Sequence, residues 1–342
     1  MKNKYFIFVH RHRFRNRVLN NFLKIKKIDN YIILNLSGVL RFYLLGLPFI
    51  YLISLFKNFF NNFVLISCDG RPQLMFNSVN FWFGGTSYKV PEEYKNYKNN
   101  CFFFENFSKK EENLINLYPY KPLYIKKFNS PKIVFVGGFN ILKDNIIEEI
   151  WDKERNNVFN NFSIIDNFKF WDKYKLSDNS RLQYYYIQLK ERIRFNSIIE
   201  INKILKDNFI LVGTCWKKNI PSAKDDEFNI KKVRKLYSGN ICLDFGSKWG
   251  SNFIYPRSTE IIENGGLLLQ AKQINLPEEI SNLDIITKFN SISEFEFISR
   301  HLLNDINYLN QRYKKQFEYF DNNKLNQITL KKIYNISKQN NI

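Results

Sequence analysis

Cysteine is scarce and never clustered: Cys68, Cys101, Cys215 and Cys242 stand far apart, with no Cys-x-x-Cys pair and no histidine at metal-ligand spacing. That argues against a zinc site and a disulfide framework. A reducing cytosol fits free thiols, and Cys68 and Cys242 fall at or inside apolar strand candidates as small core residues. No apolar run reaches the ~20 residues that a bilayer crossing needs. The longest, FYLLGLPFIYLISLF (42–56), has fifteen residues and contains Gly46 and Pro48. It reads as a buried or interfacial helix, packed on the first domain's sheet or touching a bilayer. The N-terminal run YFIFV is too short for a secretion signal. Internal repeats, the Gly-Lys-Ser/Thr ending of a phosphate loop and any RNP-like or recognition-helix signature are also missing.

What is present describes a folded chain. With 44% hydrophobic and 17% aromatic residues it is too apolar to be disordered, and 342 residues allow two domains, each with its own core. The 52 Lys and Arg against 32 Asp and Glu give a net charge of +20. Two explanations stand side by side. Lys, Asn, Ile and Phe are enriched while alanine is nearly absent, a skew that an AT-rich genome produces unaided. Alternatively, the charge serves an anionic partner: nucleic acid, acidic lipid or a phosphorylated small molecule. One cluster is basic by arrangement, since Lys2, Lys4, Arg11, Arg13, Arg15, Arg17, Lys24, Lys26 and Lys27 face only Asp29. Such a patch suits an anionic membrane surface or a phosphate backbone.

Short, continuously apolar runs recur between helical or polar stretches: YFIFV, NYIILNL, FVLIS, CFFF and KIVFVGG, then FILVG, ICLDFG, GGLLLQ and DIITKF. Runs of this kind are strands of parallel sheets covered on both faces, so the expected class is α/β with two Rossmann-like domains. The break at KPLYIKKFNSPK places the boundary after residue 128, giving domains 1–128 and 129–342. Residues 139–185 read as an insertion or as part of the second domain. From Arg300 to about Tyr319, Leu302, Leu303, Ile306, Leu309, Tyr313 and Phe317 form one helical stripe.

The densest motif is YPRSTEIIENGGLLLQ (255–270), read as polar loop, acidic helix, glycine pair and strand. A loop that leaves a strand and opens a helix offers free N–H groups to an anion, and Glu260 stands within reach for a sugar hydroxyl. In the first half, His10 follows the first strand and Asp69 follows FVLIS, where residues meet the cleft of an α/β sheet. Either is a candidate general base, His10 set against a basic surface loop and Asp69 against a simple turn. GGTSYK (84–89) is a loop that touches substrate or a plain connection.

FILVGTCW (209–216), VRKLYSGNICLDFG (233–246), YPRSTEIIENGG (255–266) and KIVFVGGFNILK (132–143) together resemble the C-terminal half of GT-B glycosyltransferases, in particular the group 1 branch related to CgeB-like spore-coat proteins. The resemblance implies two domains with a cleft between them, a nucleotide-sugar donor held by the C-terminal one, an acceptor approached from the N-terminal one, and no required metal or cofactor. It assigns Glu260 to the ribose hydroxyls and Arg257 to the leaving phosphate. Gly137, Gly213, Tyr255 and the basic Lys143 join them at the donor. Asn252 stands where the wider pattern has a second glutamate, and an amide there hydrogen-bonds a sugar without acting as a carboxylate. The implied activity is transfer of a hexose from a UDP- or GDP-linked donor to a glycan or lipid-linked acceptor, in the cytoplasm or on the inner face of a membrane. The rivals are a basic nucleic-acid-binding protein and an inactive GT-B subunit.

Overall fold

The apolar runs become the strands of two separate parallel sheets in a computed structural model of the chain. It describes residues 4–9, 24–46, 48–49, 51–52, 63–68, 79–82, 101–103, 118–177, 181–224, 229–246, 256–272, 280, 284–322 and 324–339. The chain divides into two compact units: Met1–Tyr120 with Ser251–Pro256 and Asn322–Ile342, and Lys121–Gly250 with Arg257–Asp321.

The first unit holds β1 (Lys4–Val9), β2 (Lys27–Ile28), β3 (Tyr31–Asn35), β4 (Phe63–Cys68), β5 (Val79–Trp82) and β6 (Cys101–Phe103), in the order β2-β3-β1-β4-β5-β6. All neighbours are parallel except the edge pair of β2 with β3. Phe6, Ile7 and Phe8 of β1 are fully buried, as a central strand requires.

The second unit holds β7 (Ile133–Val136), β8 (Phe209–Val212), β9 (Ile241–Asp244), β10 (Leu267–Ala271) and β11 (Thr287–Phe289), in the order β11-β10-β9-β7-β8, all parallel. Every residue of β7, β9 and β10 is buried, so these strands have helices or loops on both faces. Residues 139–185, open between two readings in the sequence, fold within this unit. They form α1 (Asn145–Asn160), two short helical turns and the start of α2 (Leu182–Leu205). Helices α3 (Ile230–Tyr237), α4 (Pro256–Glu263), α5 (Ile292–Asn304) and α6 (Ile306–Asp321) complete it, while α7 (Lys324–Gln339) returns to the first unit. There the Lys4 ammonium lies 3.7 Å from the Tyr334 ring centroid and Asn326 Nδ2 donates to the Pro119 carbonyl at 3.2 Å.

Two expectations change. The single stripe from Arg300 onward is broken at Asp305, whose extended backbone ends α5 and whose carboxylate accepts the Asn307 and Tyr308 N–H groups at 3.0 and 2.9 Å to start α6. A short acceptor at that point competes with helix continuation. Leu302, Leu309 and Tyr313 still face the core, one from α5 and two from α6. The run 42–56 is not a buried helix over its described part: a one-turn helix Val39–Arg41 leads into a π-helical turn Phe42–Gly46, and Tyr43, Leu44, Leu45, Tyr51 and Leu52 are exposed. Among the described residues no helix is long and apolar enough to cross a membrane.

A charged cluster ties the helices of the second unit together. Glu154 of α1 is 3% exposed and accepts hydrogen bonds from Asn157 Nδ2 at 2.8 Å, Tyr174 Oη at 2.7 Å and Lys173 Nζ. Burial raises its pKa, but the three hydrogen bonds and the Lys173 charge outweigh burial and hold the carboxyl at about 2 against an ordinary 4.5. Because the folded value is depressed, this contribution is complete above pH 4.5 and is lost as pH falls through 2. Glu154→Gln is therefore expected to lower stability at neutral pH and to flatten the acid limb between those two values, read as urea midpoint against pH. An acid limb unchanged by the substitution would assign that pH dependence to other groups.

Candidate functional site

Open parallel sheets bind ligands beyond the carboxyl ends of their strands, where the strand order reverses. In the second unit that point lies between β7 and β9, because β8 sits on one side of β7 and β9 on the other. Glycines let the backbone crowd there. Gly137 N–H donates to the Val212 carbonyl at 2.8 Å, the Gly137 carbonyl accepts Trp216 Nε1 at 2.6 Å, and the Gly138 carbonyl accepts Arg194 Nη2 at 2.7 Å. A Cβ on Gly213, at φ +149, would stand 2.4 Å from the Gly137 carbonyl oxygen. The loops leaving β7 and β8 are thus pressed backbone to backbone. Trp216 beneath them is fully buried and stacks on Phe195, with centroids 5.7 Å apart. Cys215, exposed in the same loop, holds φ +75 without being glycine, the kind of local strain that collects at binding loops.

Arg257 lies against this turn. Its guanidinium atoms fall 3.1 to 3.3 Å from where a Gly137 Cβ would be, and its central carbon is 5.7 Å from the Phe135 ring centroid. Asp244, at the end of β9 and fully buried, stands 3.6 Å from Arg257 Nη1. The other Asp244 oxygen accepts Ser258 Oγ at 2.5 Å, Gly246 N–H donates to Oδ1 at 3.1 Å, and Gln270 Nε2 donates to Ser258 Oγ at 3.0 Å. Gln270, Ser258 and Asp244 are all without solvent exposure, while Arg257 keeps 21% of its side chain open. A chain of buried polar groups therefore fixes one cation, on a partly exposed side chain, at the strand-order reversal. Chemically, such a group takes an anion without needing to reorganise.

Glu260, one turn further along α4, is 12% exposed and pairs with Arg234 Nε of α3 at 3.5 Å. Tyr237 is buried beside these groups and burial raises its phenol pKa, with the Arg257 charge acting in the opposite sense. A cleft open to solvent is lined by Phe162, Lys190, Glu191, Arg194, Phe245 and Lys272 among others. Two of its cations are matched by acids: Lys190 lies 3.3 Å from Asp166, and Arg194 pairs with the buried Glu191.

Of the residues expected at the donor, the structure brings Arg257, Gly137 and Gly213 together. Glu260 shares a helix with Arg257. Lys143 is exposed beside the start of α1, where the Asp144 carboxylate already accepts the Ile146 and Ile147 N–H groups, so an anion there would meet a negative charge. His10, Asp69, Asn252 and Tyr255, and the 84–89 loop, lie outside the described residues. The strands preceding His10 and Asp69, β1 and β4, are neighbours at the corresponding reversal of the first sheet, with Val9 opposite Ser67. Asp244, Ser258, Gln270, Trp216 and Arg194 were not foreseen. An aspartate inside the otherwise apolar ICLDFG is the one clue the sequence offered. Gly265, at φ +78, turns the chain between α4 and β10, and a Cβ on Gly266 would meet Cys242 Sγ at 2.8 Å. Cys242 is fully buried and burial pushes its thiol pKa up. Among the described residues no group of three or more His, Cys, Asp or Glu is placed to hold a metal ion.

No family model matches the chain. No curated protein matches it either. Among solved structures it is similar to one from E. coli described as trehalose-6-phosphate bound with UDP-2-fluoro glucose, at 11% identity and a TM-score of 0.40 over 97% of this chain and 99% of that one. It is also similar to an alpha,alpha-trehalose-phosphate synthase (UDP-forming) from Burkholderia vietnamiensis, at 9% identity and a TM-score of 0.43 over 98% of this chain and 100% of that one.

Proposed function

We propose that the chain is a GT-B-type glycosyltransferase that moves a sugar from a nucleoside-diphosphate donor to a hydroxyl acceptor. The observation that carries this is Arg257, whose guanidinium is held beside the buried Asp244 and against the Gly137 backbone at the reversal of strand order, on a side chain 21% exposed. A diphosphate placed there meets a fixed cation and the opening turn of α4. In the reaction the acceptor oxygen bonds to the anomeric carbon as the bond from that carbon to the phosphate oxygen breaks. The electron pair leaves on the diphosphate, whose growing charge Arg257 offsets. The acceptor's proton goes to a base, for which His10 and Asp69 are the candidates. Glu260, on the same helix, takes the ribose hydroxyls. The donor is UDP- or GDP-linked, and the acceptor is a glycan or a lipid-linked precursor.

Titration calorimetry with a nucleoside diphosphate and its 2′,3′-dideoxy analogue tests the ribose assignment. Hydrogen bonds to a charged group contribute ~2 kcal/mol, so Glu260→Ala is expected to weaken the parent nucleotide roughly 30-fold. The dideoxy analogue should bind parent and variant alike, with the melting temperature held. Equal affinity of both proteins for the full nucleotide would remove Glu260 from the site.

A further inference from the structure

The first unit carries an apolar surface that donor chemistry does not use. Val39, Leu40, Tyr43, Leu44, Leu45, Tyr51 and Leu52 are all exposed large apolar side chains within one short stretch of chain, Leu40 at 74% and Leu44 at 63%. Scattered exposed leucines are ordinary, whereas several on consecutive helical turns mark an interaction surface. The stretch is anchored at its root: Leu36 N–H donates to the Phe8 carbonyl at 2.8 Å, Asn35 Oδ1 accepts Ser37 N–H at 3.0 Å, and Arg41 reaches back to the Asn35 carbonyl at 3.3 Å. The apolar turns therefore project from the carboxyl end of β3, the kind of strand end beyond which an α/β sheet receives its ligands.

Charge decides what covers this surface. No acidic residue occurs between Asp29 and Asp69, whereas Arg41 and Lys57 do. The β2–β3 register pairs Lys27 with Ile32, and Ile33 N–H donates to the Lys26 carbonyl. Lys24, Lys26 and Lys27 are exposed. Exposed leucine and tyrosine side chains on a stretch without acidic residues, near a strand edge that carries three exposed lysines against the single Asp29, match a bilayer interface with anionic headgroups: apolar groups enter the acyl boundary and cations stay at the phosphate level. A second copy of this chain would bring the same positive edge against itself. The geometry points to the exposed side chains of Val39, Leu40, Tyr43, Leu44, Leu45, Tyr51 and Leu52 as a docking element for an anionic lipid surface, one that lies on the membrane without crossing it.

Co-flotation of the full chain with vesicles of phosphatidylcholine, alone or mixed with phosphatidylglycerol, tests this. The protein is expected to float with the mixed vesicles and not with the neutral ones. Leu40→Glu with Leu44→Glu should cut the bound fraction by about tenfold or more, with an unchanged melting temperature. Replacing Lys24, Lys26 and Lys27 by Gln, which leaves the apolar turns intact, should weaken binding by roughly fivefold per lysine near the surface. Failure to float with anionic vesicles at low salt would overturn the assignment, as would floating unaffected by the leucine changes. A concentration-dependent dimer abolished by those changes would give the surface to a second copy. Salt-sensitive retention on RNA without vesicle binding would give the basic edge to nucleic acid.

Discussion

Asp244→Ala is expected to lower unfolding free energy by about 3 kcal/mol, because it removes the fully buried member of an ion pair and a counter-charge of the other. The carboxylate has no solvent contact and serves Ser258, Gly246 and Arg257 at once. Its loss removes the acceptor of the Ser258 hydroxyl proton and one counter-charge of the guanidinium. Asp244→Asn retains an acceptor for Ser258 or Gly246 and should cost less, about 1 kcal/mol for the hydrogen bond left imperfect. Urea denaturation of these variants and of the Asp244→Ala, Arg257→Ala double variant separates the pair from its surroundings. A coupling energy near zero would mean that Arg257 is not positioned by Asp244. Nucleotide affinity should fall with Asp244→Ala even under conditions where the variant remains folded, since the guanidinium loses the group that aims it.

Gly213→Ala is expected to destabilise by about 3 kcal/mol, the upper part of the usual range for forcing atoms into a packed interior. The added carbon meets the carbonyl carbon of Gly137 at 2.6 Å as well as its oxygen, so the obstacle is backbone and cannot rotate aside. Two neighbouring substitutions separate this effect from simple loss of glycine. At Gly239, with φ +71, nothing lies within 4 Å of an added carbon, so only conformational strain of about 1 kcal/mol should appear. At Gly137 the nearest atoms belong to the Arg257 side chain, 3.1 Å away, so Gly137→Ala should move the guanidinium and weaken nucleotide binding more than it affects stability. Thermal and urea melts of the three variants check the order. Equal destabilisation by Gly213→Ala and Gly239→Ala would contradict the close packing of the two loops.

The sheets were legible because a strand buried on both faces must be apolar throughout. Each of the nine runs singled out in the sequence lies on a strand. The omissions have local causes: β2 is two residues long and sits on an edge, and β5 is a four-residue piece, VNFW, whose asparagine interrupts the apolar pattern. Asp305 was hidden inside a stripe that stays in phase across the break, so periodicity alone joined two helices. The return of α7 to the first unit depends on contacts such as Asn326 with Pro119, more than 200 residues apart, and no local pattern encodes that. The same distinction holds at the site. Gly137, Gly213 and Arg257 announce themselves through glycine turns and the Pro-Arg-x-x-Glu spacing. Their supports, Trp216 to Gly137 and Arg194 to Gly138, act across 79 and 56 residues and exist only once the sheet has formed.

A thermal-shift screen with UDP, GDP, CMP, ADP and their sugar conjugates tests the central claim most directly. A ligand at 100 times its dissociation constant adds ~2.7 kcal/mol of stability. The account predicts stabilisation by UDP- or GDP-linked ligands in the parent, strongly reduced in Arg257→Gln. A protein that melts cooperatively and responds to none of these ligands would contradict it.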